Sequence, residues 1–191
     1  MPSTKRVIGL SGTIGSGKDT LAEYLVANYN FLHVSTGDLV RDEAQRQVGS
    51  IERPVLKKIA TEMRQQLGSG IFVEKALELL EKNPAASGLV VTGVRSLGEL
   101  HALQKAGATV VFVDVPLATR FERIVSRQRD GEAAISFEEF KTRDDLEHYA
   151  GPGEAEHNLN AFKVAADIHL ENVTTLDEFL AEAVQKLGLK P

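Results

Sequence analysis

The residues with the clearest chemistry lie near the start of the chain: Gly12, Thr13, Ile14, Gly15, Ser16, Gly17, Lys18, Asp19 and Thr20. They directly follow the apolar run Val7 to Leu10 and precede the helix-compatible stretch Leu21 to Val26. A G-x-x-x-x-G-K spacing between a strand and a helix is that of a phosphate-binding loop. Its glycines permit positive φ, so that successive backbone N–H groups converge on an anion. The helix behind it adds unpaired amides and the positive end of its dipole. Lys18 adds a mobile cation for the β- and γ-phosphates of a nucleotide. Asp19 stands where a hydroxyl residue ordinarily holds Mg²⁺, and the hydroxyl comes one place later, at Thr20.

Three further groups carry cations or paired polar residues. Ser35-Thr36-Gly37-Asp38-Leu39-Val40-Arg41 places a hydroxyl, a carboxylate and a guanidinium at one expected strand end. Arg41 lies one helical turn beyond Asp38, and its planar fork suits a second phosphate; equally, Asp38 caps a helix and Arg41 is solvated. Arg95 follows the run Leu89 to Thr92. Arg120, Arg123 and Arg127 share one helix face, with Phe121, Ile124 and Val125 free to pack the other. Such a face is either solvated or supplies the several cations that a transferring phosphoryl group requires.

The polar segment from Gln128 to about Arg143 has the composition of a lid that excludes water from a nucleotide, with Arg143 entering only on closure. A plain surface helix is the alternative. The five histidines show no metal-ligand spacing, and His33 and His169 suit core or edge positions in strands. Glu138, Glu139, Asp144, Asp145 and Glu147 read as a solvated acidic face.

The elements that must position these residues follow from apolar patterning. Strands are expected at Val7 to Leu10, Phe31 to Val34, Leu89 to Thr92, Thr109 to Val115 and Asp167 to Leu170. Helices are expected from Gly17 to about Asn28, Leu39 to about Gln47 with Thr36 or Asp38 as N-cap, and Pro54 to Leu67. Further helices are expected at Ile71 to Lys82, Leu97 to Lys105, Leu117 to Arg129, Phe137 to about Tyr149, Asn158 to Val164 and Leu176 to Leu187. Alternation from end to end predicts a five-stranded parallel sheet covered on both faces, a three-layer α/β/α domain. Ligands in such sheets bind at the carboxyl ends of the strands.

The 191 residues suit one domain, 1–191, with acceptor-binding helices at about 36–82 and the lid at about 128–157. A net charge of −5 lacks the basic footprint of polynucleotide binding, so no polynucleotide partner is expected. The chain has no cysteine, which removes disulfides, thiolate nucleophiles and cysteine-bound zinc. No apolar run approaches the ~20 residues of a membrane span, and the N-terminal apolar stretch is too short for a signal-peptide core. A cytoplasmic protein, monomeric or a small homo-oligomer, is expected.

Four segments resemble the nucleoside monophosphate kinase-like P-loop kinases, the group that includes adenylate kinases, deoxynucleoside monophosphate kinases and dephospho-CoA kinases. Gly12 to Thr20 is similar to the adenylate kinase loop, which also has its threonine one place after the residue following the lysine. Ser35 to Arg41 resembles the S-T-G-D-x-x-R segment that contacts the acceptor nucleotide, and Phe121 to Arg127 resembles the E-R-I-x-G-R helix leading into the lid. Ala166 to Asn172 is similar to the A-D-x-x-x-x-N ending of dephospho-CoA kinases and of an archaeal adenylate-kinase-like family.

The resemblance implies ATP-dependent transfer with Mg²⁺ to a small, nucleotide-like acceptor, a (deoxy)nucleoside monophosphate. Lys18, Arg123 and Arg127 would be catalytic, and Thr36, Asp38, Arg41 and Arg95 would lie on the acceptor side. Mg²⁺ would be held largely through water, with Asp19, Thr20 and Asp38 nearby. Val90 to Arg95 departs from the adenylate kinase pattern, which has an aspartate before the glycine. Dephospho-CoA kinase activity, or a non-kinase nucleotide-binding regulator or ATPase, is the alternative.

Overall fold

The structure, a computed structural model, describes residues 5–126 and 135–190. Five parallel strands, β1 (Arg6–Gly12), β2 (Phe31–Ser35), β3 (Gly88–Thr92), β4 (Thr109–Asp114) and β5 (Ile168–Glu171), form one sheet in the order β2-β3-β1-β4-β5. Nine helices are present among the described residues. They are α1 (Lys18–Tyr29), α2 (Thr36–Val48), α3 (Arg53–Leu67), α4 (Ile71–Glu81), α5 (Leu97–Lys105), α6 (Leu117–Ser126), α7 (Phe137–His148), α8 (Leu159–Ala165) and α9 (Leu176–Lys186). The strand count and the parallel direction are the expected ones.

The layering follows from the alternation of side chains along the strands. Ile8, Leu10, Val90, Val111 and Val113 pack on one face with Leu21, Leu25, Phe179 and Ala183 of α1 and α9. Val7, Leu89, Val91, Val110 and Phe112 pack on the other with Ala76, Leu103, Leu159 and Phe162 of α4, α5 and α8. Val40, Ala44, Ile59, Met63 and Phe72 form a third, smaller core that makes α2, α3 and α4 a unit beside the ends of β2 and β3.

Two local expectations are corrected. Ser35, and not Thr36 or Asp38, is the N-cap of α2: it keeps extended backbone and its Oγ accepts the Asp38 N–H, while Thr36 is already helical. The acidic face of α7 is not wholly solvated either. Asp144 turns inward to Arg120 and Glu147 to Arg95. Helical spacing alone cannot distinguish a solvated carboxylate from one facing an arginine delivered by another element.

The Arg120–Asp144 pair is the most thoroughly buried ion pair among the described residues, with side chains 4% and 6% exposed. Arg120 donates to both Asp144 oxygens at 2.6 and 2.8 Å and through Nε to Val115 O at 2.9 Å, and its guanidinium lies over the Phe140 ring. Each polar atom of this junction of α6 and α7 thus has a partner, which a buried pair needs to offset its desolvation. Removing one partner of such a pair costs about 3–5 kcal/mol. Asp144→Ala is therefore expected to lower the stability of the folded chain by about that amount in urea titration, while Glu62→Ala, which breaks only the surface pair with Lys58, leaves the midpoint nearly unchanged.

Candidate functional site

The phosphate loop runs from the end of β1 into α1 and is shaped by close neighbours. Gly12, Gly15 and Gly17 have φ of 142°, 80° and 93°. A Cβ on Gly12 would lie 2.4 Å from Val113 O, and one on Gly17 would lie 2.2 Å from Asn172 Nδ2. Asn172, just beyond β5, donates that same amide to Ser16 O at 2.9 Å. Arg123 of α6 donates to Asn172 O at 2.9 Å and to Gly15 O at 3.5 Å. The loop is thus clamped at the Gly15 and Ser16 carbonyls by Arg123 of α6 and by Asn172 just beyond β5, and within itself by the Ser16 N–H, which donates to Thr13 O at 3.2 Å.

An open cleft of about 390 Å³ lies along this loop, lined by Gly15, Gly17, Lys18, Asp19, Thr20, Glu23, Arg123, Asn172, Thr174 and Leu176. Lys18 is largely buried and its Nζ lies 3.7 Å from Asp19 Oδ2. The hydroxyls of Thr13 and Ser16 are buried without a hydrogen-bond partner. Buried hydroxyls of this kind call for a polar occupant. Together with the glycine cradle and Lys18, they fit the polyphosphate chain of a nucleotide. Among the described residues no three His, Cys, Asp or Glu side chains converge as a metal centre; Asp19 and Thr20 line the cleft, whereas Asp38 does not.

The other residues singled out in the sequence divide between the two sides of β1. Thr36, Asp38, Arg41 and Arg95 lie beyond the ends of β2 and β3, on the other side of β1 from the cleft-lining residues that follow β5. Thr36 is buried, with its Oγ1 2.6 Å from where a Cβ on Gly93 would be. Arg41 Nε donates to Asp38 Oδ1 at 3.0 Å, and both side chains are exposed. Arg95 donates to Glu147 Oε1 at 2.7 Å.

Of the three arginines expected on one face of α6, Arg123 reaches the cleft, whereas Arg120 is bound by Asp144. Arg127 and the segment 128–134 of the expected lid lie outside the described residues. Arg143 is exposed on α7.

Several cleft and support residues had no assigned role. Asn172, Thr174 and Leu176 follow β5, where the strand-end rule points, and Glu23 is one turn beyond Asp19 on α1. Glu99, fully buried, accepts from the N–H groups of Arg95 and Ser96 and from Arg64, so it fixes the turn that carries Arg95 and ties it to α3. The capping-box spacing Ser96-x-x-Glu99 was its sequence signal.

Three titrating groups have resolved shifts near these strand ends. Burial lowers the pKa of His33 against the opposing pull of Asp19, Asp38 and Glu23, and His33 Nε2 lies 2.9 Å from Thr92 Oγ1. Burial, then the Arg95 charge, lowers that of His157. Burial pushes the Asp114 carboxyl up, but the 2.6 Å contact with Lys163 and the Val115 N–H outweigh it and leave the pKa low. Asp114, at the end of β4, is thereby engaged by α8.

The sheet order, the loop between β1 and α1 and the cleft beside it define a P-loop kinase-like protein. A model of the AAA domain family matches residues 11–141, and the chain belongs to this family of P-loop kinase-like domains. Similar proteins include a UPF0200 protein of Hyperthermus butylicus, 35% identical over 95% of this chain and 93% of that protein. A UPF0200 protein of Thermococcus sibiricus is 31% identical over 96% of each.

Among solved structures, the Thermus thermophilus protein TT1252 superposes with a TM-score of 0.64 at 22% identity, over 96% of both chains. Shikimate kinase from Bacteroides thetaiotaomicron superposes with a TM-score of 0.63 at 14% identity, over 96% of this chain and 99% of that one. Shikimate kinase from Aquifex aeolicus gives 0.52 at 20%, over 95% and 96%. These likenesses establish the fold. No helix among the described residues is long and apolar enough to cross a membrane.

Two outcomes follow. Gly17→Ala combines a left-handed backbone with a Cβ inside the Asn172 contact, whereas Gly49→Ala has the same hand of backbone and open space. Both should lose about 1–3 kcal/mol, the strain of a non-glycine residue in that region, with Gly17→Ala the larger loss in thermal melts. For the histidines the folded-state pKa lies below the ordinary 6.5, so the unfolded chain takes up protons first as pH falls. Stability should therefore decline from about pH 6.5 downward until the folded-state pKa is passed, and His157→Gln should reduce that decline in melting temperature between pH 7 and pH 5.

Proposed function

We propose that the protein is an ATP-dependent kinase that transfers the γ-phosphate of ATP to a (deoxy)nucleoside monophosphate. The observation that carries this reading is the two-sided arrangement about β1: a phosphate cradle and cleft toward β5, and arginines beyond the ends of β2 and β3. A hydrolase needs only the first half. A second anion-binding half suits a phosphorylated acceptor better than water.

In this reading Gly12, Thr13, Ile14, Gly15, Ser16, Gly17, Lys18, Asp19 and Thr20 bind ATP. The loop amides and the Thr13 and Ser16 hydroxyls bind the β- and γ-phosphates, and Lys18 follows the charge that builds on them. Arg123, held at the cleft edge by its bonds to Gly15 and Asn172, stabilises the same charge with Arg127. Thr174 and Leu176 supply the polar and apolar wall beside it. Thr36, Asp38, Arg41 and Arg95 hold the acceptor so that an oxygen of its phosphate attacks Pγ in line. The bond from Pγ to the β,γ-bridging oxygen breaks and ADP leaves. Arg143 and the segment about 128–157 exclude water during transfer. Mg²⁺, near Asp19, Thr20 and Asp38, would neutralise phosphate charge when bound. The acceptor is a small molecule, and the protein works in the cytoplasm.

Coupled assays of ADP release across ribo- and deoxynucleoside monophosphates, with dephospho-CoA alongside, test the reading. Release that depends on a monophosphate is expected. Release independent of any acceptor, or none, argues against it. Lys18→Ala should lower transfer by at least about 10²-fold in kcat while the chain remains folded by circular dichroism.

A further inference from the structure

The two carboxylates that α7 turns inward, Asp144 and Glu147, are three residues apart on one face, and each meets an arginine, Arg120 of α6 and Arg95 just after β3. They are bound very differently. Asp144 has both oxygens bonded to Arg120, and that pair is almost wholly enclosed. Glu147 makes one 2.7 Å bond to Arg95, whose side chain is 31% exposed, and its second oxygen is buried with no hydrogen-bond partner.

Glu147 also lies in the last turn of α7, where the helix dipole disfavours an anion. Arg95 itself is held in place by its backbone: its N–H donates to the buried Glu99 and its carbonyl accepts from Asn158. His157, Arg64 and Glu99 are the other titratable or charged groups around the pair. The arginine is thus fixed in position, while its carboxylate partner is under-satisfied.

We propose that the Arg95–Glu147 pair is an exchangeable latch: Glu147 occupies the Arg95 guanidinium in place of an anionic acceptor, and a phosphate monoester displaces it and frees the end of α7. This rests on the acceptor side assigned under the proposed function. A phosphate carries about −1.5 to −2 charge and three acceptor oxygens, against one charge and two oxygens for a carboxylate. It can therefore satisfy the guanidinium fork bidentately where Glu147 does so with a single bond. The Arg120–Asp144 pair does not exchange, and it keeps the remainder of α7 docked.

The full-length chain titrated calorimetrically with AMP, and separately with inorganic phosphate, tests this. Glu147→Gln removes the competing charge and should tighten AMP binding about three- to tenfold without changing the affinity for an ATP analogue. Saturating AMP should also speed amide exchange at residues 145–149 of the wild-type chain. Tightening with AMP alone identifies the monoester as the ligand, whereas tightening with phosphate alone, or with neither, overturns the proposal. So does unchanged exchange at 145–149. Should Glu147→Gln not fold, Glu147→Asp, whose shorter side chain reaches Arg95 less well, should show the same direction with a smaller gain. If no monophosphate is phosphorylated yet AMP binding tightens, the latch stands and the kinase reading falls; turnover with unchanged AMP affinity has the opposite meaning.

Discussion

The structure depends on one constraint: backbone N–H groups between β1 and α1 must converge on a ligand, with few of them spent on the loop's own carbonyls. Within the loop the Ser16 N–H donates to Thr13 O, and further internal bonds would use up N–H groups that a ligand needs. The chain resolves this by bonding to the loop's carbonyls instead. Asn172 takes Ser16 O and Arg123 takes Gly15 O, which makes β5 and α6 part of the phosphate site although they lie far away in sequence. The left-handed glycines let the chain pass between these supports, and at Gly12 and Gly17 there is no space for a side chain.

Arginines have divided roles in this arrangement. Of the cations delivered to the strand ends, Arg120 is structural, Arg123 faces the cleft, and Arg95 is held by a turn whose buried Glu99 also binds Arg64. Burying so many charges is unfavourable unless each has partners. The partners come largely from α5 and α7, so these helices determine which arginines remain available to a ligand. Two satellite groups, the α2-α3-α4 unit and α7, flank the ends of the sheet; the first joins the central layers through Val73, Ala76 and Leu80 of α4 and the Arg64–Glu99 pair, the second through its pairs with Arg120 and Arg95.

Much of this was legible in the chain itself. The five strands, their parallel direction and the loop followed from apolar runs, turn residues and the spacing of Gly12, Gly17 and Lys18, all local signals. The cap of α2 was placed one or more residues late because Ser35 belongs to the strand and the helix at once. The inward turn of Asp144 and Glu147 could not be read, since a helix face is defined by spacing but its partner is defined by tertiary packing. Asn172 was visible only as a motif residue; that it clamps the loop follows from β5 lying two strands from β1, with β4 between them. Arg120 and Arg123 share a helical face in sequence, yet one is enclosed by α7 and the other is open to the cleft.

The central claim is that donor and acceptor phosphates meet at the end of β1. The most direct measurement follows the fate of a radiolabelled γ-phosphate of ATP in the presence of nucleoside monophosphates, separating the products by chromatography. The arrangement predicts label in a nucleoside diphosphate, formed only when a monophosphate is present. Label appearing solely as inorganic phosphate, at a rate indifferent to every monophosphate, would contradict it.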